Sequence, residues 1–236
     1  MGISPFFKRF WTLDVSFRLK NALRKGSFFM NSRRNLRMLT RAAVLAAISL
    51  ILFMPAFELA LPFFPPWLKL DISAVPVLLA GFAMGPVGGL AVQAVKSLLH
   101  LFWSSTGGVG ELADFLMGVS LMLPAALLYR YRKNFRTALI GLIAGIVCAT
   151  VVGILSNYYI MLPLYTQSRS MEEVIGAAAS SNAAITDVKG YLVYGVLPFN
   201  LLKGVVVSLI TLLLYKRVSP ILHEKSERQD KQTPAS

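Results

Sequence analysis

An asparagine and a lysine inside the last apolar stretch constrain this chain more than any other feature. From Tyr191 to Ile210 it reads Tyr-Leu-Val-Tyr-Gly-Val-Leu-Pro-Phe-Asn-Leu-Leu-Lys-Gly-Val-Val-Val-Ser-Leu-Ile. Asn200 and Lys203 are three apart, so on a helix they share one face. A lysine near a bilayer midplane costs about 2.5–3.5 kcal/mol on insertion scales, and such residues face a cavity, a partner or a ligand. The pair predicts a membrane protein with a polar site buried inside it.

Composition agrees. The chain is 56% hydrophobic and only 15% charged, where a soluble domain carries about 25% charge. Its net charge of +13 would suit nucleic acid, but the cations sit beside apolar spans. Ten of the 24 Lys and Arg lie between Lys8 and Arg41, with Asp14 the one acid among them. Arg130, Arg132, Lys133 and Arg136 form a second group, and Lys216 and Arg217 follow the last span. That is the pattern of positive-inside topology, with the bilayer and not nucleic acid as the partner. The single cysteine, Cys148, reads as a small buried hydrophobe. Residues 1–29 interleave cations with Phe6, Phe7, Phe10, Trp11, Phe17, Phe28 and Phe29 and lack the apolar core of a signal peptide. They fit a basic amphipathic helix on a membrane surface, and equally an upstream extension with the functional start at Met30.

The spans follow from apolar length and breakers. The first is expected over about Leu39–Leu61, followed by the proline-rich loop Pro62–Asp71. The apolar run Ile72–Trp103 is too long for one span, and Gly85-Pro86 splits it into two helices. After the loop Ser104–Gly110 come spans over Glu111–Tyr129, Thr137–Leu164 and Tyr191–Tyr215, with a short helix at Met171–Ala179 in the polar connection Thr166–Gly190. Six spans, unlike five, put all three basic groups on one side, so both termini are expected in the cytoplasm. The expected organisation is a basic extension (1–36), an all-α six-helix membrane domain (37–220) and a charged tail (221–236), disordered from His223.

Under this topology the polar residues gather at the outward level. Lys96, Glu111, Asp114, Asn157, Tyr158, Asn200 and Lys203 come from four spans, and Lys69 and Asp71 from the first outward loop. Trp67, Phe199 and Tyr158 supply flat walls, which suits a small molecule with an aromatic ring and hydroxyls. Competing structural roles exist for several of them. Lys96 can pair with Glu111 or Asp114, Asn157 can cap or bridge helices, and the run Gly107-Gly108-Val109-Gly110 can be a plain turn or a close approach to ligand. His100 reads as an interfacial histidine and not a metal ligand. In the first span, Ala42/Ala46 and Ala43/Ala47 make small-residue strips suited to helix packing, internal or with a partner.

These residues carry a resemblance. Leu68-Lys69-Leu70-Asp71 with Val75-Pro76, Ala80–Pro86, Lys96–His100, Thr106–Phe115, Asn157-Tyr158-Tyr159 with Leu162–Tyr165, and Pro198–Gly204 occur in the order seen in one family. The chain resembles the substrate-binding S components of energy-coupling factor (ECF) vitamin transporters, most closely the riboflavin-specific type, over about Arg41–Pro220. The resemblance implies a six-helix protein of the cell membrane that binds riboflavin from outside, as substrate and not as cofactor. It further implies a transmembrane coupling subunit and two cytoplasmic ATPases as partners. Asn157, Asn200 and Lys203 match the family's vitamin-binding positions, and Ala42/Ala46 and Ala43/Ala47 its coupling-subunit contact.

The expected site therefore comprises Asn157, Asn200 and Lys203 with Lys69, Leu70, Asp71, Lys96, Glu111, Gly108, Tyr158 and Phe199. No nucleotide-binding Gly-x-x-x-x-Gly-Lys-Ser/Thr motif occurs, so ATP hydrolysis is expected of partners and no enzyme activity of this chain. Three readings compete: an S component for another vitamin or a flavin nucleotide (FMN), an intramembrane enzyme, and a proton-coupled carrier using Glu111 or Asp114.

Overall fold

A computed structural model describes the backbone over residues 32–104, 106–167 and 169–230, and most side chains between 36 and 215. The expectations for residues 1–29 and for the end of the tail lie outside the described residues. Two units divide at Arg41 and Ala42. The described part of the first, residues 32–41, is the start of helix α1 (Ser32–Leu52), where Thr40 Oγ1 donates to Leu36 O at 2.9 Å.

The second unit holds the rest of α1 and the other elements. The first span is shorter at its end than the sequence reading has it. Proline at 55 has no N–H for a helix interior, and the chain closes with tighter bonds, Phe53 N to Leu50 O and Met54 N to Ile51 O, both 3.1 Å. Residues expected at the end of that span instead form strand β1 (Leu59–Ala60), antiparallel to β2 (Lys69–Leu70) with Leu59 opposite Leu70 and Ala60 opposite Lys69.

Helices α2 (Ala74–Met84) and α3 (Pro86–His100) meet at the predicted break. Gly85 there has φ 83°, a conformation that glycine alone adopts cheaply. Next come α4 (Val109–Tyr131) and α5 (Phe135–Tyr165). The short helix α6 spans Met171–Ala179, as expected, and opens with a Ser170/Glu173 capping box. The last helix, α7, begins at Val188–Gly190 and continues as Leu197–Asp230. Its helical backbone thus covers part of the segment expected to be disordered from His223; Lys, Glu, Arg and Gln there are good helix formers. Two π-helical turns interrupt the regular winding, Asn157–Met161 in α5 and Tyr191–Val196 in α7.

Among the described residues, three helices are long and apolar enough to cross a membrane: Val109–Tyr131, Phe135–Tyr165 and Val188–Tyr215. Met38–Leu52 and Ala74–Met84 are apolar but shorter. The main core joins α1, α2, α3, α4, α5 and α7 through Ala46, Leu78, Val92, Met122, Leu142 and Val207. At one end of it, Tyr129 and Tyr215 hydroxyls meet at 2.8 Å beside Phe82. A second, smaller core seats α6 and Trp67 of the hairpin loop against Leu162, Ile185 and Tyr191.

Helices α4 and α5 pack most extensively, because a glycine lets their backbones touch. A Cβ at Gly145 would collide with the carbonyl oxygen of Leu121. Gly145→Val is expected to lower the melting temperature of the purified protein sharply, as overpacking costs about 1–3 kcal/mol or more. Gly176→Ala, where the added carbon meets nothing within 4 Å, is expected to leave it unchanged or slightly higher.

Candidate functional site

A cavity of about 520 Å³ opens between the hairpin, the start of α4, the π-turn of α5 and the part of α7 just past its own π-turn, at Phe199, Asn200 and Lys203. The hairpin reaches it because its loop is anchored at both sides. Trp67 stacks near Tyr165 and Tyr191, at 5.7 and 6.1 Å between ring centres. Phe64 meets Phe199 edge-on at 5.4 Å. Across the strands, Lys69 Nζ donates to Glu58 Oε2 at 2.6 Å.

Of the expected site residues, Asn157, Asn200, Lys203, Lys69, Asp71, Glu111 and Phe199 line this cavity. Lys96 does not; it lies beneath, fully buried. Leu70 does not, because strand alternation turns it opposite to Lys69 and Asp71. Gly108 does not either; its left-handed φ of 94° caps α4, its N–H donates to Ser104 Oγ at 2.9 Å, and Gly110 takes the cavity position. Tyr158 lies outside the lining and half exposed, packed edge-on against Tyr159. The adjacent Asn157 is buried and faces in. Ala46 and Ala42 pack into the core, whereas Ala43 and Ala47 are exposed.

Below the cavity runs a continuous chain of buried polar groups. Lys203 Nζ donates to Asp71 Oδ2 at 2.5 Å, and Asp71 Oδ1 accepts from Ser73 N and Oγ. Lys96 Nζ donates to Ser73 Oγ at 3.0 Å and reaches both oxygens of Asp114, at 2.9 and 2.8 Å. It also lies 4.7 Å from the centre of the Phe53 ring, a cation–π contact. Asp114 Oδ2 accepts from Gln93 Nε2 and Ser97 Oγ as well. Burial disfavours the Asp71 charge, but the Lys203 and Lys96 ammonium groups outweigh it and hold the carboxyl below the usual carboxylate range. Lys96 thus pairs with Asp114, one of its two expected partners. Glu111 instead meets His100 Nδ1 at 2.8 Å and accepts from Ser104 Oγ at 2.8 Å.

The two asparagines differ in what they offer. Asn200 donates through Nδ2 to Val196 O at 2.9 Å, and among the described residues its Oδ1 accepts nothing. Its place depends on Gly153, where a Cβ would come within 2.8 Å of Asn200 Nδ2. Asn157 donates to Gly153 O at 2.9 Å and accepts from the Tyr191 hydroxyl at 2.8 Å. An amide acceptor, an amide donor and an ammonium therefore border one space with aromatic walls, an arrangement for holding a flat polar molecule. Sequence reading missed Glu58, Ser73, Gln93 and Tyr191. Glu58 alone left a signal there, as an isolated acid among apolar residues eleven positions before Lys69.

Asp114→Asn would leave the buried Lys96 ammonium without its carboxylate. Removing one partner of a buried pair costs about 3–5 kcal/mol, so a large drop in melting temperature in detergent is expected. Glu58→Gln, at a pair whose lysine is 36% exposed, is expected to change it little.

The family profile described as "ECF transporter, substrate-specific component" matches residues 37–215. A protein named riboflavin transporter RibU from Staphylococcus aureus (strain TCH60) is 38% identical over 199 residues, covering 82% of this chain and 98% of its own length. Riboflavin transporter FmnP from Bacillus subtilis (strain 168) is 30% identical over 186 residues, covering 78% and 92%. A solved structure described as "Structure and mechanism of the S component of a bacterial ECF transporter" matches with a TM-score of 0.64 at 34% identity, covering 80% of this chain and 99% of that one. With three helices among the described residues long and apolar enough to span, the chain is a multi-pass protein of the cell membrane. It belongs to the family of ECF transporter substrate-specific S components.

Proposed function

We propose that this chain is a riboflavin-binding S component that captures the vitamin from outside the cell. The observation that carries the reading is the cavity, where Asn157, Asn200 and Lys203 converge beside Trp67 and Phe199, in a chain whose relatives are named riboflavin transporters. The aromatic walls suit the isoalloxazine ring, and the amides and ammonium suit its carbonyls and the ribityl hydroxyls. In this reading residues 37–220 form six membrane-embedded helices with both termini in the cytoplasm. The hairpin Leu59–Leu70 is then a lid on the outer face. The chain binds and its partners, a transmembrane coupling subunit and two ATPases, supply the energy; it catalyses no reaction itself. Of the two alanine strips on α1, the exposed Ala43 and Ala47 are the part left for the coupling subunit, and Ala42 and Ala46 seat the helix against its own core.

Riboflavin titrated into the purified protein is expected to lose its fluorescence at nanomolar to low micromolar concentrations. Lys203→Ala should weaken binding by roughly ten- to a hundredfold, the span of a hydrogen bond to a charged group. Asn200→Ala should weaken it by roughly three- to tenfold. A folded wild-type protein that leaves flavin fluorescence unchanged would sink the riboflavin reading. Ala43→Leu with Ala47→Leu is expected to keep flavin binding and lose vitamin uptake in cells, checked by co-purification with the coupling subunit.

A further inference from the structure

The orientation of Asn157 is set by a directed chain of hydrogen bonds. Trp67 Nε1 donates to the Tyr191 hydroxyl at 3.1 Å, and Tyr191 donates to Asn157 Oδ1 at 2.8 Å. An indole N–H can only donate. Tyr191 is fully buried, and among the described residues its hydroxyl has these two partners alone. If Asn157 turned its amide round, its NH₂ would face the Tyr191 oxygen, and the buried Tyr191 O–H would lose its only acceptor. Its Oδ1 would also face Gly153 O, to which Nδ2 now donates at 2.9 Å. Both outcomes leave buried polar groups unpaired, which is costly. The polarity therefore runs one way, from the hairpin loop through α7 to α5. Asn157 is left with one unspent N–H.

We infer that Tyr191, held by Trp67, is a positioning residue that fixes Asn157 with an N–H for the ligand, so that the pocket selects an acceptor, a carbonyl or ring nitrogen, at that point. The inference rests on the reading that the cavity takes riboflavin, whose ring edge carries such acceptors. It also gives the loop a role in recognition beyond covering the cavity. Trp67 contributes a wall and, through its N–H, the direction of a hydrogen bond two residues away in the chain of contacts.

The test is a double-mutant cycle read by flavin fluorescence quenching on the full chain. Tyr191→Phe removes one hydroxyl and keeps the ring. It should weaken riboflavin binding by roughly fivefold or more in the wild-type background, the scale of a lost buried hydrogen bond. In an Asn157→Ala background the same change should cost nothing further, because there is no amide left to orient. Trp67→Phe also alters a wall of the cavity, so it should cost more in the wild-type background than in Asn157→Ala, and that difference carries the test if Tyr191→Phe does not fold. Equal losses in both backgrounds, or no loss in either, would overturn the inference, since a merely structural tyrosine would act regardless of Asn157. If the folded wild type itself does not quench riboflavin, the reading of the cavity fails first and the inference with it.

Discussion

Asp71 is the group on which the arrangement turns. It sits at the foot of the hairpin, just before α2, and both its oxygens are committed. One takes the ammonium of Lys203 on α7, and the other takes Ser73, which in turn receives Lys96 from α3. Lys96 passes the connection to Asp114 on α4. One loop carboxylate thus ties three helices together at the level where the cavity floor lies. An unpaired buried charge costs several kcal/mol, so each member keeps its neighbours in place. Lys203, which borders the cavity, is presented at a fixed height for the same reason.

This network explains what was readable in the sequence. Lys203, Lys96 and Asp114 stood out because charge inside apolar stretches is expensive, and Asn200 because it shares a face with Lys203. The break at Gly85-Pro86 and the short helix at Met171–Ala179 were legible from local chemistry alone. Residues whose role comes from tertiary position gave no such signal. Tyr191 looks like one more aromatic at a span end, and Gln93 and Ser73 look ordinary until Asp114 and Asp71 lie beside them. Tyr158, expected as a flat wall, and Leu70, expected from its motif, adjoin residues that line the cavity, but strand alternation and helix rotation turn neighbours apart.

The π-turns were illegible for a related reason. Each widens a turn with no Pro inside it, Gly195 in the second being one small residue among many, and each rotates the helical turns beyond it. In α5 the turn begins at Asn157 and in α7 at Tyr191, the two residues joined by a hydrogen bond across the helices. Such turns occur often at functional positions. Here the turn in α7 sets where Asn200 arrives. Pro55 is a breaker embedded in an apolar run, so a reading by apolar length alone makes the first span too long and the hairpin too short.

The buried pairs have one more consequence. Lys203 with Asp71 and Lys96 with Asp114 each sum to zero, wherever the shared proton sits. A single charge carried through a membrane field feels about 2.3 kcal/mol per 100 mV, but on these four the pulls cancel. These two pairs are electrically silent. A displacement of the protein relative to the bilayer moves both pairs without giving the membrane voltage a handle on them.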